Sequence, residues 1–171
     1  TAPMFIGYTI VFNYNPSLSL NTILTSVLAA ALFEELYFRA FLFGQLFRYT
    51  QLGFIPSATI GALLFGLVHL YQGNNLGESA GVFAVTFAGG MLYAWVFVEK
   101  EFNIWIPVFL HLFMNLSWGL FDVSGNAMGG IYANIFRAFT IALIIILTIK
   151  ENKRYGKELV INRKSLWYKT S

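Results

Sequence analysis

The sequence contains no cysteine, and only four prolines and eight acidic residues in 171. The first absence excludes disulfides, thiolate nucleophiles and thiolate-held metals, and it leaves redox compartment unmarked. The shortage of charge excludes more. Only 11% of residues are charged, against roughly 25% in a soluble domain. With so few prolines, long stretches have nothing to interrupt a helix.

What fills the space is apolar. The chain is 57% hydrophobic, with 18 phenylalanines and a mean hydropathy of +0.65. A soluble protein of this size has nowhere to put that much apolar surface, so lipid must be the solvent for much of it. The runs are long and continuous rather than alternating, which excludes a β-barrel. The expected fold is all-α: a polytopic transmembrane helical bundle of about five clear spans plus an N-terminal apolar segment.

Residues 1–12 are apolar but short, and read as the end of a preceding span or as an interfacial segment. Pro16 is placed to open a helix. From about Leu18 to Tyr49 only Gly44 interrupts helicity, giving about 30 residues, or roughly 45 Å. That exceeds the ~30 Å hydrocarbon core, so this helix must tilt, kink or run out along the interface. Further spans are expected over residues 55–71, 78–98, 103–121 and 129–149. Gly77, Gly81 and Gly89 recur at multiples of four with Ala80, Ala84 and Ala88 beside them, and read as a helix-packing face. Residues 1–149 thus form the bundle, and 150–171 a basic tail. The tail holds Lys150, Lys153, Arg154, Lys157, Arg163, Lys164 and Lys169, seven of the eleven basic residues. It reads as a positive-inside anchor that keeps the C-terminus in the cytoplasm; nothing in it suggests nucleic-acid binding.

An ionisable residue inside a span is costly and marks function by default. The set is small: Glu34, Glu35, Arg39, His69 and His111, with Asn115 as a polar companion; Asp122 and Arg137 lie on or near the last spans. Residues four apart share a helix face, so Glu35 and Arg39 can pair. Glu34 points elsewhere with no cation on its own helix, and desolvation pushes such a carboxylate toward proton transfer near neutrality. His111 and Asn115 share a face. Counted along their helices, Glu34 and His69 lie roughly 20 Å, and His111 and Asn115 roughly 12 to 18 Å, from the cytoplasmic turns. Three helices therefore put polar groups in one layer. A carboxylate and an imidazole can take a proton from water, while a second imidazole and a carboxamide donate to the oxyanion formed when that water attacks an amide. The alternative is a His₂Glu zinc site of Glu34, His69 and His111 with an open position for water. Either way the reaction class is hydrolysis, and no serine or threonine has a paired base.

The stretches "EELYFR" (Glu34, Glu35, Arg39), "FGLVH" (Phe65, His69) and "HLFMN" (His111, Asn115) resemble the EExxxR, FxxxH and HxxxN/D motifs of the CAAX protease and bacteriocin-processing family of intramembrane proteases. The resemblance spans roughly residues 28–118. It implies an active site inside the membrane, with Glu34 and His69 activating water, His111 and Asn115 stabilising the oxyanion, and Glu35 and Arg39 supporting them. It leaves the cofactor as either none or one divalent metal, zinc included. The implied partners are membrane lipid and a peptide or protein substrate, membrane-associated or prenylated in some relatives. The implied location is a multi-pass position in a prokaryotic plasma membrane. Family members usually carry more helices, so further spans are expected before residue 1. Two other classes compete. A membrane immunity or partner-binding protein would work without catalysis. A proton-coupled transporter would also place Glu and His in spans, but calls for broken helices that the motif spans lack.

Overall fold

A computed structural model describes residues 1–169. Six helices account for most of them: α1 (Ala2–Val11), α2 (residues 20–49), α3 (Phe54–Val68), α4 (Leu76–Glu99), α5 (Trp105–Leu120) and α6 (Ile131–Arg154). Consecutive helices from α2 to α6 run antiparallel through short connections. The exposed side chains include Ile10, Phe33, Phe41, Leu67, Phe109, Phe139 and Leu147. An apolar exterior of that kind is expected of a bundle solvated by lipid.

Three helical stretches, Phe54–Gln72, Leu76–Glu99 and Ile131–Arg154, are each long and apolar enough to cross a membrane. The other two anticipated spans differ for physical reasons. Helix α5 has 16 residues, about 24 Å. In α2 the apolar run is interrupted by the charged groups of the site. Helix α1 is neither a full span nor a detached segment. It packs against the first half of α6, where the Tyr8 hydroxyl donates to the Ala133 carbonyl at 3.1 Å.

Helix α2 is not opened by Pro16. The Ser19 side chain caps it, accepting from the Thr22 amide at 3.1 Å, and Pro16 lies in the preceding turn that Asn15 holds by accepting from the Ser17 amide. Beyond its first turn α2 alternates in pitch. It is π-helical over Ile23–Ala29 and Glu35–Phe43, and α-helical at Ala30–Glu34 and Gly44–Tyr49. Single π turns are rare and collect at functional sites; here one begins at the second glutamate of the motif.

The glycine that lets α3 and α4 approach is not on the anticipated face. A Cβ on Gly90 would sit 3.0 Å from Ala62, whereas one on Gly89 would meet nothing within 4 Å. Gly90 is the packing residue, and Gly89 opens onto a cavity.

Helix α6 runs past residue 149 to Arg154, and the chain after it folds back over one end of the bundle. There it supplies what a helix N-terminus lacks. The amides of Gly53, Phe54 and Ile55 donate to the carbonyls of Trp167, Ser165 and Leu166 at 2.7 to 2.8 Å. Phe43, Phe47, Phe54 and Phe97 form the core beneath this closed end. A second cluster, Met4, Tyr8 and Ala133 with Trp118, Phe121 and Phe136, lies toward the other end. The site lies between the two.

Candidate active site

The site is assembled from the middle of α2, the end of α3 and the middle of α5. Glu35 is fully buried, and its two oxygens are divided between two helices. Oε1 accepts from Nδ1 of His111 at 2.8 Å, and Oε2 lies 3.1 Å from Nε of Arg39. The second contact is an ion pair off the line of a hydrogen bond. The Arg39 guanidinium is also buried. It sits over the rings of Phe65 at 4.3 Å and Tyr93 at 5.2 Å, a cation–π setting that offsets part of its desolvation.

Glu34 faces the other way, with 28% of its side chain exposed. Its Oε2 lies 3.9 Å from Nε2 of His69 and 3.8 Å from Nε2 of His111. These distances are too long for direct hydrogen bonds, and at such spacing a water can rest against all three atoms. Each histidine has its other nitrogen occupied. Nδ1 of His69 bonds the Phe65 carbonyl at 2.7 Å, one helical turn back; Nδ1 of His111 bonds Glu35. Both Nδ1 atoms face acceptors, so both carry hydrogen, and both Nε2 atoms are turned toward Glu34. This explains the four-residue interval from Phe65 to His69. The ring of Phe65 packs against His69 and Arg39, and its backbone oxygen sets the histidine's orientation.

Asn115 lies on the same cavity wall, one turn beyond His111. Its amide nitrogen donates to the Ser26 carbonyl of α2 at 3.3 Å, which leaves one N–H and the oxygen free. The structure thus brings Glu34, His69, His111 and Asn115 to one cavity and sets Glu35 and Arg39 behind it. Asp122 is not part of the site.

Two imidazole lone pairs and a carboxylate oxygen have the chemistry of a zinc site, with outer bonds from Glu35 and a backbone carbonyl of the usual kind. As placed, the glutamate stands farther from both imidazoles than ligands closed around zinc stand from one another. Tetrahedral ligands around zinc lie about 3.3 Å apart, closer than either contact of Glu34, and no three His, Asp or Glu side chains among the described residues are grouped to hold a metal ion.

The description of Type II CAAX prenyl endopeptidase Rce1-like proteins matches residues 16–117, more than half of the chain. The chain belongs to this family. Over 93 residues it is also 33% identical to the Bacillus subtilis (strain 168) protein named "Putative membrane peptidase YdiL"; the match covers 54% of this chain and 34% of that protein. The chain thus spans about a third of the length of that relative. No solved structure matches. The chain is an integral membrane protein of a peptidase family, and the family match contains all three motifs.

In this Rce1-like chain the cavity in front of Glu34 has a volume of about 670 Å³. Its lining includes residues that no motif marks. Tyr93 stands beside His111, with ring centroids 5.5 Å apart, and donates its hydroxyl to Met114 Sδ at 2.9 Å. Its sequence signal was faint: a hydroxyl one turn after Gly89 in an apolar span that also holds Ser79 and Thr86. Gln72, Ser124 and Asn126, on connections whose placement depends on the fold, and Arg137, on α6, also line the cavity.

Proposed function

We propose that this chain is the core of an intramembrane endopeptidase in which Glu34 activates water against a peptide carbonyl. One observation carries the reading: a partly exposed carboxylate, free of hydrogen bonds among the described residues, faces the Nε2 atoms of two histidines whose Nδ1 atoms are already committed.

Water held at Glu34 Oε2 and His69 Nε2 gives its proton to Glu34 as its oxygen bonds to the carbonyl carbon. The resulting oxyanion takes hydrogen bonds from the free N–H of Asn115 and from Nε2 of His111. The histidine donates from Nε2 as the ring protonated on both nitrogens, since Nδ1–H is already given to Glu35. The C–N bond then breaks, and the leaving amine takes the proton from Glu34. The net change is one water added across one amide. Glu35 and Arg39 position His111 and touch no reacting atom. Every step is written with groups of the chain.

Orientation follows from charge. Arg48, Lys100, Lys150, Lys153, Arg154, Lys157, Arg163, Lys164 and Lys169, nine of the eleven basic residues, gather at the closed end. By the positive-inside rule that end faces the cytoplasm of a prokaryotic plasma membrane. The cavity, lined by the 72 and 124–127 connections, then opens to the other side.

The test is cleavage of a peptide library by purified protein in detergent, with and without chelator, beside Glu34→Gln. The expected result is cleavage that survives chelation and is lost in the variant. Normal proteolysis by the variant sinks Glu34 as base, loss on chelation sinks the metal-free route, and a folded wild-type protein that cleaves nothing favours the partner-binding alternative.

A further inference from the structure

The chain beyond α6 encloses, with the end of that helix, a second cavity of about 520 Å³ that shares no lining residue with the first. Its half-buried lining is largely apolar: Ile149, Leu159 and Ile161. Its exposed lining holds three lysines, Lys153, Lys157 and Lys164, against one acid, Glu158.

Each lysine is brought there by a different piece of local structure. Lys153 lies on the last turn of α6. Gly156 ends that helix at a φ of +65°, which suits a residue without a Cβ. The Gly156 and Lys157 amides then donate back to the Lys153 and Asn152 carbonyls at 3.1 and 2.9 Å, a helix stop that turns Lys157 toward the cavity. Lys164 is set by Asn162, whose side chain accepts from the Lys164 amide at 2.9 Å and donates to the Leu159 carbonyl at 3.3 Å. Glu99 ties this segment to the bundle through the Val160 and Ile161 amides.

The three charges are not equally engaged. Lys157 donates to Glu101. Lys153 and Lys164 have no carboxylate within 4.0 Å among the described residues. Both are exposed, so the fold does not need them paired. Like charges gathered at one cavity raise its positive potential and draw an anion to it.

The apolar lining says which anion. Ile145, Ile149 and Lys153 recur at intervals of four, so one face of α6 runs from apolar side chains to an ammonium. Ile145 is exposed, and α6 is long and apolar enough to cross a membrane. Its lysine end therefore lies where headgroups lie, and Ile145 lies about 12 Å deeper, among the acyl chains. A free phosphate would use the lysines alone. A lipid with a phosphate above and a hydrocarbon chain beneath uses the whole face.

We propose that this cavity binds one anionic phospholipid, with its phosphate between Lys153 and Lys164 and an acyl chain along Ile149 and Ile145. Lysine binds phosphate as a point charge, and basic pockets at the cytoplasmic ends of membrane helices are suited to such headgroups. The lipid joins the tail, through Lys164, to the end of α6. The site does not depend on the peptidase reading.

The test is binding to the purified chain in maltoside micelles, followed by native mass spectrometry and by the rise in melting temperature. Phosphatidylglycerol, phosphatidylcholine and inorganic phosphate are the separate probes. Phosphatidylglycerol is expected to fill one site per chain that phosphatidylcholine does not fill. Lys153→Gln and Lys164→Gln should each weaken it ~5-fold, the scale of one basic residue at an anionic lipid surface. Lys150→Gln and Arg163→Gln, which remove cations of the tail outside the cavity, should leave it unchanged. Equal weakening by all four substitutions, or equal binding of the two lipids, overturns the site and leaves only a diffuse attraction to the membrane surface. Inorganic phosphate that binds as tightly as phosphatidylglycerol, with the same dependence on Lys153 and Lys164, overturns the lipid and makes free phosphate the ligand.

Discussion

At the closed end of the bundle Glu99 is 4% exposed, and its carboxylate is fully engaged. Oε2 accepts from Asn152 Nδ2 and from the Val160 amide, both at 3.1 Å, and Oε1 accepts from the Ile161 amide at 3.0 Å. At the cavity Glu34 accepts no hydrogen bond among the described residues, and Arg137 has no carboxylate. Both ends place charge in costly surroundings. One end satisfies it with groups the chain supplies, and the other leaves it facing open space. A buried group that is satisfied internally stabilises the fold or holds a segment in place. A group left poised contributes little to the fold, and a ligand or a reaction is the natural reason for keeping it. Glu35 stands at the boundary: satisfied by Arg39 and His111, it belongs to the scaffold, and it transmits order to the site through one imidazole.

The sharpest way to break this division is to treat the adjacent glutamates separately. Glu34→Gln should lower the cleavage rate by roughly 10²- to 10⁴-fold, the range for loss of a general base, while the melting temperature in detergent stays that of the wild type. Arg39→Ala leaves Glu35 buried without its guanidinium, which should cost about 3 to 5 kcal/mol of stability, read by thermal or denaturant unfolding, with activity falling as His111 loses its anchor. If Glu34→Gln melts as early as Arg39→Ala, Glu34 is part of the scaffold and the division is wrong.

Local relations were legible in the sequence, and distant ones were not. Glu35 and Arg39 pair because they are one turn apart, and Phe65 and His69 are joined by the same interval. The helical elements follow from unbroken apolar runs between polar turns. The bond from Glu35 to His111 spans 76 residues, and no periodicity points to it. The same holds for Ser26 meeting Asn115 and for Arg137 reaching Trp118 and Ala127. Pro16 and the glycines of α4 were misread for one reason: residue type states what a position permits, and neighbours decide what is used. Ser19 had the better cap. Gly90 met Ala62, while Gly89, one residue away and 100° around the helix, met the cavity. The basic tail was legible as charge but not as structure, because its work is done by backbone carbonyls, which every residue carries.

Glu99 offers a test at the closed end. Glu99→Ala removes the acceptor for Asn152, Val160 and Ile161 and should cost about 1 to 3 kcal/mol, detected as a lower melting temperature and easier proteolysis of residues 155–169. Cleavage by the folded fraction should keep its kcat, since Glu99 lies away from the cavity. A drop in kcat at unchanged stability would join the two ends and undo the comparison.

The smallest effect belongs to the exposed charges of the closed end. Glu101, in the connection between α4 and α5, accepts a hydrogen bond from Lys157, which holds its carboxyl below the usual carboxylate range; the same contact raises the Lys157 ammonium. A depressed carboxyl stabilises the fold fully above its unfolded value near 4.3 and loses that contribution as the pH falls through its folded value. The raised ammonium stabilises fully below its unfolded value near 10.4 and loses it as the pH rises through the folded one. The pair therefore acts between about pH 4 and 10, and only weakly, because both side chains are in solvent and salt screens them. Melting curves of wild type and Lys157→Gln should differ slightly at pH 7 in low salt and converge at pH 3, with the same convergence at pH 7 in high salt. A difference that persists at pH 3 would mean that the Lys157 stem packs the tail, and that the closed end is held by contact rather than by charge.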